Sequence, residues 1–198
     1  MADVYNLRSL LRSIVDNTEG ESVTVEDLLN AVGRRSYGPL LLLLGFVAVS
    51  PLTIVPGANW LIALIVLVFA IQLLLGLKFP WAPKRALKFS FPRSALEKGA
   101  ATAEKYVHIV DQFVKPRLTF LTEFPFVMII ALVCIAAALI TFPLGVFPFG
   151  PLLPSLTILI LGLGLTGRDG LMILLGLAPL IGTAVLVVNF WDRLPFIS

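Results

Sequence analysis

Two long uncharged stretches dominate the pattern of the chain. Tyr37 to Leu77 runs for 41 residues, and Phe124 to Gly167 for 44, without one Asp, Glu, Lys or Arg. An uncharged run of at least ~18 residues predicts a membrane helix, so each stretch is long enough for about two passes. Each is also interrupted near its middle. The first break reads Pro51-Leu-Thr-Ile-Val-Pro56-Gly57, and the second reads Pro143-Leu-Gly-Val-Phe-Pro148, followed by Gly150. Proline withdraws a backbone donor and glycine admits positive φ, so both sequences break a helix inside an apolar segment. An apolar limb closing on glycine follows each break, Leu61–Gly76 and then Leu153–Gly167. This predicts a duplicated helix–break–helix hairpin, although two similar turns arising independently would leave the same trace. Interrupted backbone at membrane depth persists only inside protein or beside a watery cavity, which makes the breaks the natural place for function.

Elsewhere the periodicity is amphipathic. Asp3–Val15 carries Val4, Leu7, Leu11, Ile14 and Val15 at helical spacing with Arg8 and Arg12 opposite, a helix lying on the membrane or on the protein. Asn17–Ser22 predicts a loop, and Thr24-Val-Glu-Asp27 has the form of a capping box that opens a short helix. Arg34 and Arg35 then stand as interface anchors before the first apolar run. After it, Lys78-Phe-Pro-Trp81-Ala-Pro-Lys84 predicts a membrane exit, with Trp81 and Lys84 at headgroup level. Ser94-Ala-Leu-Glu97 opens another amphipathic helix, with Ala100, Ala103, Val107, Val110 and Val114 on its seam, Pro116 at its end and Arg117 as a further anchor. Leu171–Trp191 is a last uncharged span.

The predicted fold class is an all-α integral membrane protein. Its expected parts are amphipathic N-terminal helices (1–36), a first membrane hairpin (37–77), a basic amphipathic linker (78–123), a second hairpin (124–167) and a C-terminal membrane helix (168–198). Composition agrees: 58% of the residues are apolar, mean hydropathy is +0.97, and only 14% are charged, against about 25% in soluble domains. The first residues lack the apolar core of a signal peptide. A single cysteine, Cys134, excludes an intrachain disulfide. Nine of the fifteen Lys and Arg fall in the linker and four in the N-terminal arm. The positive-inside rule therefore puts both on the cytoplasmic face of the membrane, in a multi-pass topology. The first hairpin must return to the side it left. Tyr37 to Pro51 spans only about 21 Å as a helix against roughly 30 Å of hydrocarbon, which favours a re-entrant dip. Trp60 beside the break favours a full crossing, and both readings stay open. An inverted repeat needs an odd number of crossings between the copies, which the charge counts do not favour.

The candidate chemistry is sparse. Ser50, Thr53, Asn59, Gln72, Ser155 and Thr157 are polar groups in apolar limbs. With Pro51, Pro56, Gly57, Pro143, Pro148 and Gly150 they outline a pathway for a small ion or solute, where half-helix ends would face a shared cavity. Gln72 is the most informative, because an amide in an apolar limb needs a partner; an interhelical hydrogen bond serves that need as well as a ligand does. Arg168 and Asp169, flanked by glycines, form either a tight polar turn or a membrane-proximal ion pair with a functional role. His108 reads as a surface bystander. No paired acid and base, metal-ligand spacing or phosphate loop occurs, so neither an enzyme nor a cofactor or metal is expected. The basic linker lacks an aromatic-rich surface, which points to anionic lipid headgroups rather than nucleic acid. Five short apolar elements make a thin wall around any cavity, so a homo-oligomer, in the simplest case a dimer, is expected.

Gln72-Leu-Leu-Leu-Gly76, Pro80-Trp-Ala-Pro83, Pro116-Arg117-Leu118, the Pro143…Pro148 break with Pro154, and Gly162-Leu-Gly-Leu-Thr-Gly-Arg-Asp-Gly170 together resemble the ExoD family of bacterial membrane proteins. The resemblance covers roughly residues 25 to 190. It implies an inner-membrane protein linked to exopolysaccharide synthesis, in a family also associated with tolerance of alkaline conditions. The family pattern places Asn after the glycine of the second break, whereas this chain has Pro151; the first break here continues Ala58-Asn59. Two functions follow as expectations: a small transporter-like or channel-like protein, or a non-transporting scaffold working with exopolysaccharide biosynthesis proteins.

Overall fold

The apolar runs fold as helices because in hydrocarbon every backbone N–H and C=O must be satisfied within its own segment. In the computed structural model, which describes residues 22–24, 37–50, 57–77, 80, 90–92, 114–147 and 149–189, the architecture is mainly helical. The helices are α1 (Tyr37–Val49), α2 (Ala58–Leu74), α3 (Phe126–Leu144), α4 (Leu152–Gly167) and α5 (Gly170–Asn189), with a 3-10 turn at Thr119–Thr122 before α3. By length and composition α3 and α5 can cross a membrane; α1, α2 and α4 are apolar but shorter. A small antiparallel pair joins β1 (Ser22–Thr24) to β2 (Ser90–Pro92).

α1 is the central element: eleven of its thirteen residues are buried, so it has no polar face at all. Glycines bring its backbone onto α4. A Cβ on Gly45 would lie 2.5 Å from the Leu159 Cα, one on Gly38 would lie 2.9 Å from the Thr166 nitrogen, and one on Gly162 would overlap the Leu42 nitrogen. The pairings 38–166, 42–162 and 45–159 run in opposite senses, so the two helices are antiparallel. Close approach through small residues is the usual substitute, within lipid, for a hydrophobic driving force between helices. α2 packs likewise on α3, where Ala131, Cys134, Ala137 and Ala138 are fully enclosed, as Val66 and Phe69 are buried on α2. The Trp60 Nε1–H donates to the Phe142 carbonyl at 3.1 Å, satisfying one of the orphan acceptors in the last turn of α3. The starts of α1, α3 and α5 therefore share one end of the bundle with the ends of α2 and α4, and the helix ends that flank the two breaks lie at the other.

The linker returns to the first of these ends through Asp169. This carboxylate is fully buried and accepts the backbone N–H of Lys115 at 3.0 Å on one oxygen and that of Leu171 at 3.0 Å on the other. It thus caps α5 and pins the incoming chain. The Gly170 N–H adds a bond to the Arg117 carbonyl at 2.6 Å. Each glycine of the Gly162…Gly170 motif meets something different: Gly162 meets α1, Gly164 meets Ile173 and Asp169, Gly167 meets the Val114 side chain, and Gly170 meets Leu118.

Several expectations change. Pro143 lies inside α3, so the second break opens at Gly145 rather than at the proline. A proline in the last turn removes only one bond there. Val114–Lys115–Pro116 is not helical, which shortens the expected linker helix. The residue before a proline disfavours helix, and Asp169 claims the Lys115 N–H. Ser22 and Thr24 lie in a strand rather than a loop and a cap, with Val23 only 1% exposed, so a small strand pair joins the expected all-α fold. The expected helix Asp3–Val15 and residues 94–113 of the expected linker helix fall outside the described residues.

Gly162→Ala is expected to cost about 1–3 kcal/mol through overpacking on Leu42. Gly182→Ala, where a Cβ would meet only the Leu153 Cδ1 at 3.9 Å, is expected to be neutral or to stabilise by roughly 0.5–1 kcal/mol; thermal unfolding of the purified variants checks both. Asp169→Ala is expected to lose about 1–2 kcal/mol as a removed cap, with faster amide exchange at Lys115 and Leu171. Asp169→Asn, which keeps one acceptor, is expected to fall between Ala and wild type.

Candidate functional site

At the end of the bundle where the linker returns, the helix termini leave a cleft of about 250 Å³ lined by Tyr37, Gly38, Leu73, Thr122, Glu123, Val127, Leu165 and Arg168. Each comes from the terminus of an element. Tyr37 and Gly38 open α1, Leu73 closes α2, Thr122 ends the 3-10 turn, Val127 starts α3, and Leu165 and Arg168 finish α4. The walls are thus apolar where the helices run and polar at the rim. Two polar groups stand out. Tyr37 is 8% exposed, and its hydroxyl is buried with no hydrogen-bond partner. Arg168 is exposed and holds φ at 51°.

That angle is informative beside α2. Both helices end on the same bond five residues back, Leu77 N–H to the Gln72 carbonyl at 3.1 Å and Asp169 N–H to the Gly164 carbonyl at 2.8 Å. This ending needs a left-handed residue, which glycine supplies without strain. α2 uses Gly76 there, with φ 69°. α4 uses Arg168, at a cost of roughly 1–2 kcal/mol for a residue that bears a Cβ. A side chain kept at a strained position points to a task beyond the turn itself.

The sequence candidates divide between the two ends. Ser50, Gly57, Asn59, Pro143, Gly150, Ser155 and Thr157 lie toward the breaks, while Gln72, Arg117, Arg168 and Asp169 lie toward the cleft. Ser50, Ser155, Thr157 and Gln72 are buried, Asn59 is half-buried, and Gly57, Pro143 and Arg117 are exposed. Gly57 adopts φ 88° ahead of α2, the positive φ expected of it. Gly150 sits so that a Cβ would overlap the Leu144 carbonyl. The Ser50 hydroxyl donates to the Val47 carbonyl at 2.7 Å and that of Thr157 to the Leu153 carbonyl at 3.3 Å, each bond turned back on its own chain. Arg168 and Asp169 are neighbours whose roles separate, because the Asp169 carboxylate takes backbone N–H groups. Pro51, Thr53, Pro56 and Pro148, and the anchors Arg34, Arg35, Trp81 and Lys84, lie outside the described residues. Sequence reasoning missed Tyr37, Thr122 and Glu123; their signal is position, a phenol opening one apolar run and a carboxylate directly preceding the other.

A buried hydroxyl without a partner is destabilising by about 1–3 kcal/mol. Tyr37→Phe is therefore expected to match or exceed the melting temperature of the wild type, and Tyr37→Ala, which removes a buried ring from the first turn of α1, to fall below it.

Comparison with known proteins agrees with this chain's pattern. The profile of the family described as "Exopolysaccharide synthesis, ExoD" matches residues 7–189. Protein ExoD of Rhizobium meliloti (strain 1021) is 32% identical over 190 residues, an alignment covering 91% of this chain and 75% of that protein. No solved structure matches. With the match running from the N-terminal arm to the last residue of α5, the chain belongs to the ExoD family.

Proposed function

We propose that the protein serves exopolysaccharide synthesis as a multi-pass inner-membrane component, with its N-terminal arm and basic linker on the cytoplasmic side, and that its bundle is an accessory platform rather than a conduit. Family membership supports the first part. The observation that carries the second is the seam between α1 and α4. Gly45 and Gly162 bring backbone against backbone there, and the hydroxyls of Ser50 and Thr157, two of those expected to line a path, donate to carbonyls of their own chain. α1 packs on α4 and α2 on α3, an exchange that a two-fold axis between the hairpins would produce. With the helix ends that flank both breaks at one end of the bundle, this supports a parallel duplication rather than an inverted one. Helices of 13, 17 and 16 residues extend only about 20–26 Å and support hairpins that dip into the membrane. The exposed apolar faces of α3 and α5, such as Leu132, Leu139, Leu174 and Ile181, suit lipid or a second copy of the chain, and a homo-oligomer remains part of the reading.

The conduit reading has one observation in its favour: Gln72, an amide, is held at 7% exposure in an apolar limb. The two readings part at this residue. In proteoliposomes the wild type is expected to give no more ion or sugar flux than empty vesicles, and Gln72→Leu is expected to restore exopolysaccharide yield to a strain lacking the protein. Flux that Gln72→Leu abolishes, together with lost yield, would establish the conduit instead.

A further inference from the structure

The cleft at the linker end has a composition that neither helix packing nor the turn explains. Its polar rim combines a guanidinium (Arg168), a carboxylate (Glu123) and two hydroxyls (Tyr37 and Thr122), and its walls are Leu73, Val127 and Leu165. Among the described residues no ion pair joins Glu123 or Arg168 to a partner. The Thr122 hydroxyl donates to the Thr119 carbonyl at 2.7 Å and keeps its lone pairs for accepting. Tyr37 contributes a buried hydroxyl whose hydrogen-bonding capacity is unused. Buried polar groups in folded proteins almost always have partners, and those that do not call for a specific reason. Arg168 occupies a left-handed position that α2 gives to glycine. The two residues are independent signs of the same thing: chemistry retained against the local preference of the fold.

We propose that this cleft binds a sugar phosphate, with the phosphate on Arg168 and the Tyr37 hydroxyl and the sugar hydroxyls on Glu123 and Thr122. An arginine fork matches a tetrahedral oxyanion, and a phenol adds a neutral donor. A carboxylate beside that anion is unsuited to a second phosphate, because like charges repel. It suits a group that donates hydrogen bonds, as the hydroxyls of a sugar do. At about 250 Å³ the space is below the roughly 300–1,000 Å³ of sites for drug-sized ligands, so it takes one such unit and not a polymer. The same unit can arrive free or at the head of a lipid whose chains stay against the apolar helices. The choice of a sugar rests on the role in exopolysaccharide synthesis proposed above; the anion site does not.

Thermal unfolding of the full chain in phosphatidylcholine nanodiscs tests this with three probes: inorganic phosphate, glucose 1-phosphate and polyprenyl phosphoglucose. A melting temperature raised in proportion to the logarithm of probe concentration reports binding. Glucose 1-phosphate is expected to stabilise if the source is free, and polyprenyl phosphoglucose alone if it is lipid-linked. In either case affinity is expected to fall about tenfold or more in Tyr37→Phe, which loses one hydrogen bond to a charged group, and further in Arg168→Gly, which loses the charged fork. Both variants relieve the ligand-free protein, so their melting temperatures without probe are expected to equal or exceed that of the wild type. A marked drop in the unliganded Arg168→Gly protein would give Arg168 a structural role and overturn the site. So would stabilisation by no probe, or stabilisation that both variants retain, and either result leaves the exopolysaccharide reading standing. Inorganic phosphate acting as well as glucose 1-phosphate would overturn the sugar while leaving the anion, and that failure belongs to the exopolysaccharide reading.

Discussion

Everything in this bundle depends on two backbones being allowed to touch. In lipid the side chains of α1 gain little from leaving one apolar medium for another, so the helices must be held by dispersion at short range. Glycines at 38, 45 and 162 supply that range, because a Cβ at any of them would press on the main chain of the opposing helix. The consequence is that α1, the shortest of the described α-helices, is also the most enclosed of them. Its partner is not the helix that follows it in sequence but α4, more than a hundred residues later. The remaining helices assemble around that pair.

This central contact also determines where polar chemistry can exist. Between α1 and α4 the approach is too close for a wide aqueous path, and the Ser50 and Thr157 hydroxyls turn to carbonyls of their own chain. Among the described residues, room appears where helices stop. At one end the apolar tip of the second break, with Val146 at 53% and Phe149 at 86% exposure, faces outward. At the other end, helix termini and the returning linker supply orphan backbone groups, a buried carboxylate to satisfy them and a cleft with unused donors. The Gly162–Gly170 motif serves both demands at once. Its first glycine closes the seam, the later ones admit the linker, and its Arg–Asp pair divides the work: the aspartate fastens the chain, and the arginine is left facing the cleft.

Much of the fold was legible along the chain, because the signals involved are local. The runs 37–77 and 124–167 declared themselves by the absence of charge, and limbs read as 153–167 and 171–191 became helices 152–167 and 170–189. Gly57 took the positive φ that its place after Pro56 implied. Pro143 was harder to read, because a proline marks a helix end only to within a turn. The strand at Ser22–Thr24 depends on a partner nearly seventy residues away, which no local pattern announces. Of the candidate site, the Arg–Asp turn was visible as charge between apolar segments, but Tyr37 and Glu123 were not, since each looked like the ordinary flank of a membrane run.

The amino-acid order by itself determined that this is a membrane chain of interrupted helices with its basic residues gathered in one linker, since hydropathy and charge act residue by residue. Its motif order also carried the resemblance to the ExoD family. Tertiary structure alone decided that α1 belongs with α4, that the helix ends flanking the two breaks share one end, and that Tyr37, Glu123 and Arg168 meet at the other. Those outcomes follow from how closely two backbones approach, a distance set by pairs of residues remote in sequence and invisible in either one of them.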